Sequence, residues 1–211
     1  MNDGRIQRMR AALDARLGTV RCAIESVYHR HNVSAILRTC DSLGLHHVHL
    51  VEGHFSPAKG AARGAEKWLQ LHRERSAEEA IATLRSSGFR IWIADLAENS
   101  VAPEAVPIDE PVCLWFGAEL LGVSEVARAA ADGVVTVPMR GLAQSLNVSV
   151  AAALTLRPVA ERARAQGDLS RLPEAERSEI WERWLAREET LKNGVRARVS
   201  QRLAPPAEDG S

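Results

Sequence analysis

The chain has 211 residues, 45% of them hydrophobic and 26% charged, and its 27 Lys and Arg balance 27 Asp and Glu to a formal net charge of zero. That length can bury a substantial core, and the balance excludes a low-complexity or strongly polyionic chain. No apolar stretch reaches the roughly 20 residues of a membrane span, and the N-terminus lacks a signal-peptide core, so a soluble cytoplasmic protein is expected.

Ile6, Met9, Leu13 and Leu17 recur at helical spacing in an Arg-rich background and predict an amphipathic helix over residues 1–18. Thr19 to Val27 reads as a first strand, and Asn32 or Ser34 is placed to cap a helix ending near Gly44. His47 to Val51 follows as a strand, then a Gly/Ala/Lys-rich loop from Gly53 to Glu66 and a short strand at Trp68 to Leu71. Ser76-Ala-Glu-Glu79 is a capping box that predicts a helix to Gly88, followed by a strand from Phe89 to Ala94. Val112 to Phe116 is an apolar strand, Ser124 caps a helix reaching Ala131, and Val134 to Val137 is a β-branched strand.

The next helix begins near Ser145, is packed through its alanines from Val148, and should kink or end at Pro158. Pro173 suits the first position of a last helix with Ile180, Trp184 and Leu191 on one face, closing near Asn193-Gly194. Strands alternating with helices argue for an α/β fold: a mostly parallel sheet with helices on both faces. The expected organisation is an Arg-rich helix at 1–18, a main α/β domain at 19–165, a helical extension at 166–203 and a disordered tail at 204–211.

Between the strand at 134–137 and the helix from 148 lies a polar loop in which Gly141 permits unusual backbone angles, while Gln144, Ser145 and Asn147 offer short polar groups to the unpaired first N–H groups of the helix. A strand running through such a loop into a helix makes a ligand site, although an ordinary N-capped loop has the same wording. No G-x-G-x-x-G follows an early strand, which disfavours a Rossmann dinucleotide enzyme.

Three segments, taken together, resemble the motifs of the TrmH branch of the SPOUT RNA 2′-O-ribose methyltransferases: Asn32 through Arg38, Phe116-Gly-Ala-Glu119 with Gly122, and Pro138-Met139 through Ser145-Leu-Asn147. The resemblance covers residues 20–156. It implies a SPOUT fold with a C-terminal deep trefoil knot, S-adenosylmethionine as cofactor, a homodimer, and tRNA as substrate, at guanosine 18 of the D-loop, with rRNA as the alternative. A noncatalytic RNA-binding protein of the same fold is the rival from another class, but it predicts damaged motifs.

Carried over by position, Arg38 engages RNA phosphate and stabilises the developing alkoxide, Asn32 orients the ribose or Arg38, Glu119 orients substrate or motif residues, and Ser145 and Asn147 position the nucleotide across the dimer. Leu114, Val137, Met139 and Leu146 are then apolar walls of the cofactor pocket, and Gly117 allows close backbone approach. Asn32, Glu119 and Asn147 also suit plain helix-start roles.

The charge is uneven: residues 1–21 hold five Arg against two Asp, and 157–202 hold eleven basic against eight acidic residues. Such flanks suit phosphate, or simple solubility. His46-His47-Val-His49 puts His47 and His49 on one side of a strand, yet no carboxylate or cysteine at suitable spacing joins them, so no metal is expected. Trp181 and Trp184 have the spacing of packing residues, and Cys22, Cys40 and Cys113, odd in number and far apart, are expected to be buried free thiols.

Overall fold

The computed structural model describes residues 3–52, 64–118 and 121–203, with side chains as far as residue 190. They fall into two compact units, one of Asp14–Leu172 and one of Met1–Leu13 with Pro173–Ser211.

In the larger unit, six strands alternate with helices: β1 (Val20–Glu25), α2 (Arg30–Ser42), β2 (His47–Val51), β3 (Gln70–Glu74), α3 (Ala77–Ser86), β4 (Arg90–Ala94), β5 (Val112–Phe116), α4 (Glu125–Ala130), β6 (Gly133–Val135) and α5 (Val148–Ala165). All pairings are parallel, in the order β3-β2-β1-β5-β4-β6. Alternate residues along each strand face opposite helical layers, so a continuous apolar run is what burial on both faces requires. Cys22, Ile24, Leu114 and Phe116 join α2 and α5 on one side, while Ala23, Ile91, Ile93, Cys113 and Trp115 join α3 and α4 on the other. The three cysteines are free and buried, and burial raises the Cys22 and Cys113 thiol pKa values.

In the smaller unit, α1 (Asp3–Asp14) and α6 (Glu174–Leu203) meet through the Arg5–Glu188 ion pair at 3.1 Å and through Arg10, whose guanidinium lies 4.6 Å from the Trp181 ring centre. Met9, Leu13, Ile180 and Trp184 are buried. Leu17 does not continue the stripe of α1. It lies beyond the helix, donates its N–H to Gly44 at 2.9 Å and bridges to Leu45, because the chain has already turned toward the sheet.

Several local expectations change. Asn32 and Ser34 lie inside α2, whose N-cap is His29 without a side-chain cap. The strand expected at Trp68 starts two residues later, and a short 3-10 turn, Ala65–Lys67, precedes it. In the capping box, Ser76 accepts from Glu79 N–H as expected, but Glu79 takes the N–H of Arg75 instead of Ser76. The helix after β6 starts at Val148, not near Ser145, because Asn147 caps it: its Oδ1 accepts the Ser149 N–H at 2.9 Å.

Pro158 does not end α5, which runs through it to Ala165. Proline removes one i to i−4 bond, and the carbonyl so released belongs to Leu154, which is 48% exposed and can be hydrated. Gly194 likewise fails to close α6, since one glycine costs only about 1 kcal/mol among helix formers such as Lys192, Arg196 and Ala197. Among the described residues no helix is long and apolar enough to cross a membrane. Gly53–Arg63, Glu119 and the tail expected at 204–211 lie outside the described residues.

Candidate functional site

The carboxyl ends of β4, β5 and β6 open into a cavity of about 400 Å³. Parallel α/β sheets bind ligands at this edge, where the strand-to-helix loops leave polar backbone and short side chains facing outward. From the predicted set, Gly117, Val137, Met139, Ser145 and Leu146 line it together. Leu114 does not: it lies in the middle of β5, fully buried between Cys22 and Trp92 as register partners.

Gly117 has a different reason for being glycine than the close approach of a ligand. A Cβ there would stand 2.1 Å from the Gly122 carbonyl oxygen, because the loop folds back and Ala118 and Gly122 exchange backbone hydrogen bonds of 3.0 and 2.8 Å. The conformational freedom belongs to Gly122, with φ of 67°. Gly141, by contrast, is not among the residues with positive φ.

Beneath this loop sits a residue that sequence reasoning missed. Glu25, at the end of β1, is 2% exposed and its Oε2 accepts both the Trp115 Nε1–H at 2.8 Å and the Ser124 N–H at 3.1 Å. It ties the loop after β5 to the neighbouring strand, a role visible only once β1 and β5 are known to pair. Asp95, Thr136 and Arg128 also line the cavity unforeseen. Arg128 pairs with the Asp95 carboxylate, and the Thr136 hydroxyl donates to the Asp95 carbonyl. The signal that finds Asp95 and Thr136 is their position just past β4 and β6; Arg128, inside α4, is found only through its pairing with Asp95.

The remaining predicted residues divide. Asn147 Nδ2 donates to Asn32 Oδ1 at 3.2 Å, which joins the start of α5 to the first turn of α2. Arg38 stands six residues further along α2, about 120° round the helix from Asn32, and it lines a second cavity of about 530 Å³ with Ala35, Thr39 and Trp68. Its guanidinium is exposed and has no hydrogen bond or ion pair among the described residues. Within one chain, then, Arg38 and the residues around Met139 face different cavities.

Other arginines prove structural. Arg16 is 2% exposed and binds Asp41 at 2.6 Å and the Leu45 carbonyl at 2.8 Å, Arg162 binds the Val106 carbonyl, and Arg164 binds those of Ala15 and Leu43. They satisfy backbone oxygens inside the fold.

The histidines do meet a carboxylate, supplied by β3. Parallel pairing sets His49 beside His72, with the rings stacked at 4.5 Å; His49 Nδ1 lies 2.8 Å from Glu74 Oε1 and His47 Nδ1 lies 2.9 Å from His72 Nε2. One donor atom each from His49, His72 and Glu74 falls within 4.8 Å of the others, a set able to hold a metal ion. Burial, with the charge of Arg21 and the neighbouring histidines, lowers the pKa of His47 to about 2; burial, then His49 and Arg21, lowers that of His72 to about 4. Both are neutral at physiological pH, and the contacts they make are hydrogen bonds within the sheet face.

Residues 19–157 match the SpoU rRNA Methylase family. The chain belongs to this family. It is 36% identical over 187 residues to the tRNA (guanosine(18)-2′-O)-methyltransferase of Escherichia coli, covering 85% of this chain and 81% of the relative. The solved structure of the Aquifex aeolicus TrmH/SpoU tRNA modifying enzyme superposes with a TM-score of 0.79 at 30% identity, over 88% of this chain and 97% of that one. The SpoU methyltransferase AviRb of Streptomyces viridochromogenes, solved in complex with the cofactor AdoMet, aligns at 26% identity with a TM-score of 0.61, over 72% of this chain and 63% of that one.

Proposed function

We propose that this protein is an S-adenosylmethionine-dependent tRNA 2′-O-ribose methyltransferase acting on guanosine 18, the activity named for the Escherichia coli relative. The observation that carries this reading is the cavity at the ends of β4, β5 and β6, which unites residues of two motif loops in a chain of the methylase family. Its volume suits a small molecule, and its lining is mixed in the way that ligand needs. Val137, Met139 and Leu146 are apolar walls for adenine and the methionine chain, while Asp95, Thr136 and Ser145 offer oxygens to hydroxyl and amino groups.

Bound there, S-adenosylmethionine supplies an electrophilic methyl on a sulfonium sulfur. The protein's own task is to present the ribose 2′-oxygen in line with that methyl and to stabilise the charge that develops as the hydroxyl proton departs. Arg38 suits the second role: a guanidinium stays charged throughout, so it holds phosphate and stabilises alkoxide rather than acting as a free base. Asn32 and Asn147, already paired, orient the nucleotide and the loop, and Glu119 and Ser145 complete the substrate contacts.

Because Arg38 lines a different cavity from the cofactor site within one chain, we assign the complete site to a homodimer in which one copy contributes Arg38 and the other the cavity. The apolar surface for it includes Leu142, Leu121 and Tyr28, which are 104%, 80% and 72% exposed, with Val150 and Leu154 on α5. Desolvating such side chains favours association. The family's trefoil knot, around β6 and α5, belongs to the same reading, as does a cytoplasmic location. The Arg-rich flanks serve as RNA contacts through exposed Arg8, Arg183 and Arg187.

Incubation with a tRNA transcript and methyl-labelled S-adenosylmethionine, followed by mass mapping of nuclease digests, tests the whole. A single 2′-O-methylguanosine at position 18 is expected. Transfer to rRNA but not tRNA, or none to either, rejects the assignment.

A further inference from the structure

The cavity beside Arg38 is assembled from two pieces of chain. On α2, Ala35, Arg38, Thr39 and Ser42 lie three, four and seven apart and form one face; opposite stand Ala65 and Trp68, from the 3-10 turn before β3. Arg16 fixes the separation of these walls. Its buried guanidinium binds the Asp41 carboxylate at 2.6 Å and the Trp68 carbonyl at 3.3 Å, so both walls hang from one cation.

The chemistry around the cavity is selective. The Thr39 hydroxyl donates to the Ala35 carbonyl at 3.1 Å and that of Ser42 to the Thr39 carbonyl at 2.9 Å, which leaves their lone pairs as acceptors. Asp41 engages Arg16 through Oδ1, which leaves its second oxygen as an acceptor for an occupant. An occupant therefore meets an indole surface, a set of acceptors including a carboxylate, and a permanent cation. A flat heterocycle with N–H groups on one edge, joined to a phosphate, answers all three. Among nucleic-acid bases guanine fits best, because N1–H and N2–H₂ form a paired donor edge that a carboxylate accepts, while the anion goes to arginine.

We infer that this cleft is a guanine subsite for the RNA substrate, in which Trp68 stacks on the base, Asp41 accepts its N–H edge and Arg38 holds the attached phosphate. This rests on the reading above that RNA is the substrate, and it makes Trp68 a substrate-positioning residue outside the three motifs.

The test compares Trp68→Phe with Trp68→Leu in the full-length enzyme, since both fill space and only one keeps an aromatic face. Methyl transfer to a tRNA transcript is measured alongside S-adenosylmethionine affinity and Tm. The Leu variant is expected to raise KM for tRNA roughly ten-fold, in keeping with the loss of one base–aromatic stack, and Phe to restore most of it. Cofactor affinity and Tm stay at their wild-type values. GMP should inhibit transfer more strongly than UMP, with that preference lost in Trp68→Leu.

A wild-type KM for tRNA in the Leu variant, or equal inhibition by GMP and UMP, overturns the subsite. If the wild-type enzyme methylates no tRNA, the functional reading fails instead, and saturation-transfer NMR with GMP and UMP on wild type and Trp68→Leu decides the cleft separately. GMP contacts that depend on Trp68 support it, and contacts independent of Trp68 overturn it.

Discussion

Two polar clusters in the larger unit have opposite fates. At the carboxyl ends of β4 to β6, Asp95, Thr136 and Ser145 border open space; on the face of β2 and β3, buried His47, His49 and Glu74 and half-buried His72 bond to one another. In sequence the second cluster is the more eye-catching, with three histidines in four residues. Shifted pKa values mark burial as readily as they mark chemistry, and the deciding observation is whether a side chain faces a cavity. Changes in the open group should therefore alter turnover, and changes in the enclosed group should alter stability.

The largest effect is expected at Arg38. Arg38→Ala should lower kcat by roughly 10²- to 10³-fold, the usual range for losing one oxyanion stabiliser, with Tm and calorimetric S-adenosylmethionine affinity unchanged. A matching loss of Tm would return Arg38 to a structural role. Glu25 bridges the two groups, being enclosed itself but holding the cavity loop. Glu25→Ala leaves the Trp115 and Ser124 N–H groups unpaired and should cost about 2–3 kcal/mol in urea unfolding while also weakening cofactor binding.

The enclosed histidines predict a pH effect whose sign is fixed. Their folded pKa values, about 2 for His47 and about 4 for His72, lie below the ordinary 6.5, so the unfolded chain binds more protons in that interval. Stability is complete above pH 6.5 and is lost as pH falls below it, down to about 4 for the His72 contribution and about 2 for that of His47. Between pH 7 and pH 5 the Tm should drop by roughly 5 °C, and His72→Gln should reduce that drop without altering kcat at pH 7.5. The smallest effect is at Asn147: Asn147→Ala removes the cap of α5 and should cost about 1 kcal/mol by thermal unfolding.

Much of this was legible in the residues. Short apolar and β-branched runs placed all six strands to within a few positions, and Ser76 and Ser124 cap the helices their wording announces. What was not legible is long-range. Glu74 comes to the histidines through strand pairing, Glu25 reaches Ser124 across ninety-nine positions, and Arg38 separates from Asn32 by the angle of two incomplete turns. Pro158 misled because a lost bond costs little where water can replace it. Gly117 suggested ligand proximity, whereas the steric demand comes from its own loop.

The strand order also governs how the chain can be made. β1 rests between β2 and β5, so Val20 acquires its neighbour Val112 only after the whole intervening segment has been synthesised. Until then the ribosome-bound nascent chain carries an unzipped apolar margin along Val20, Cys22 and Ile24, the kind of edge that invites association with other nascent chains and engagement by chaperones. Slow decoding between β2 and β5 would prolong that vulnerable interval.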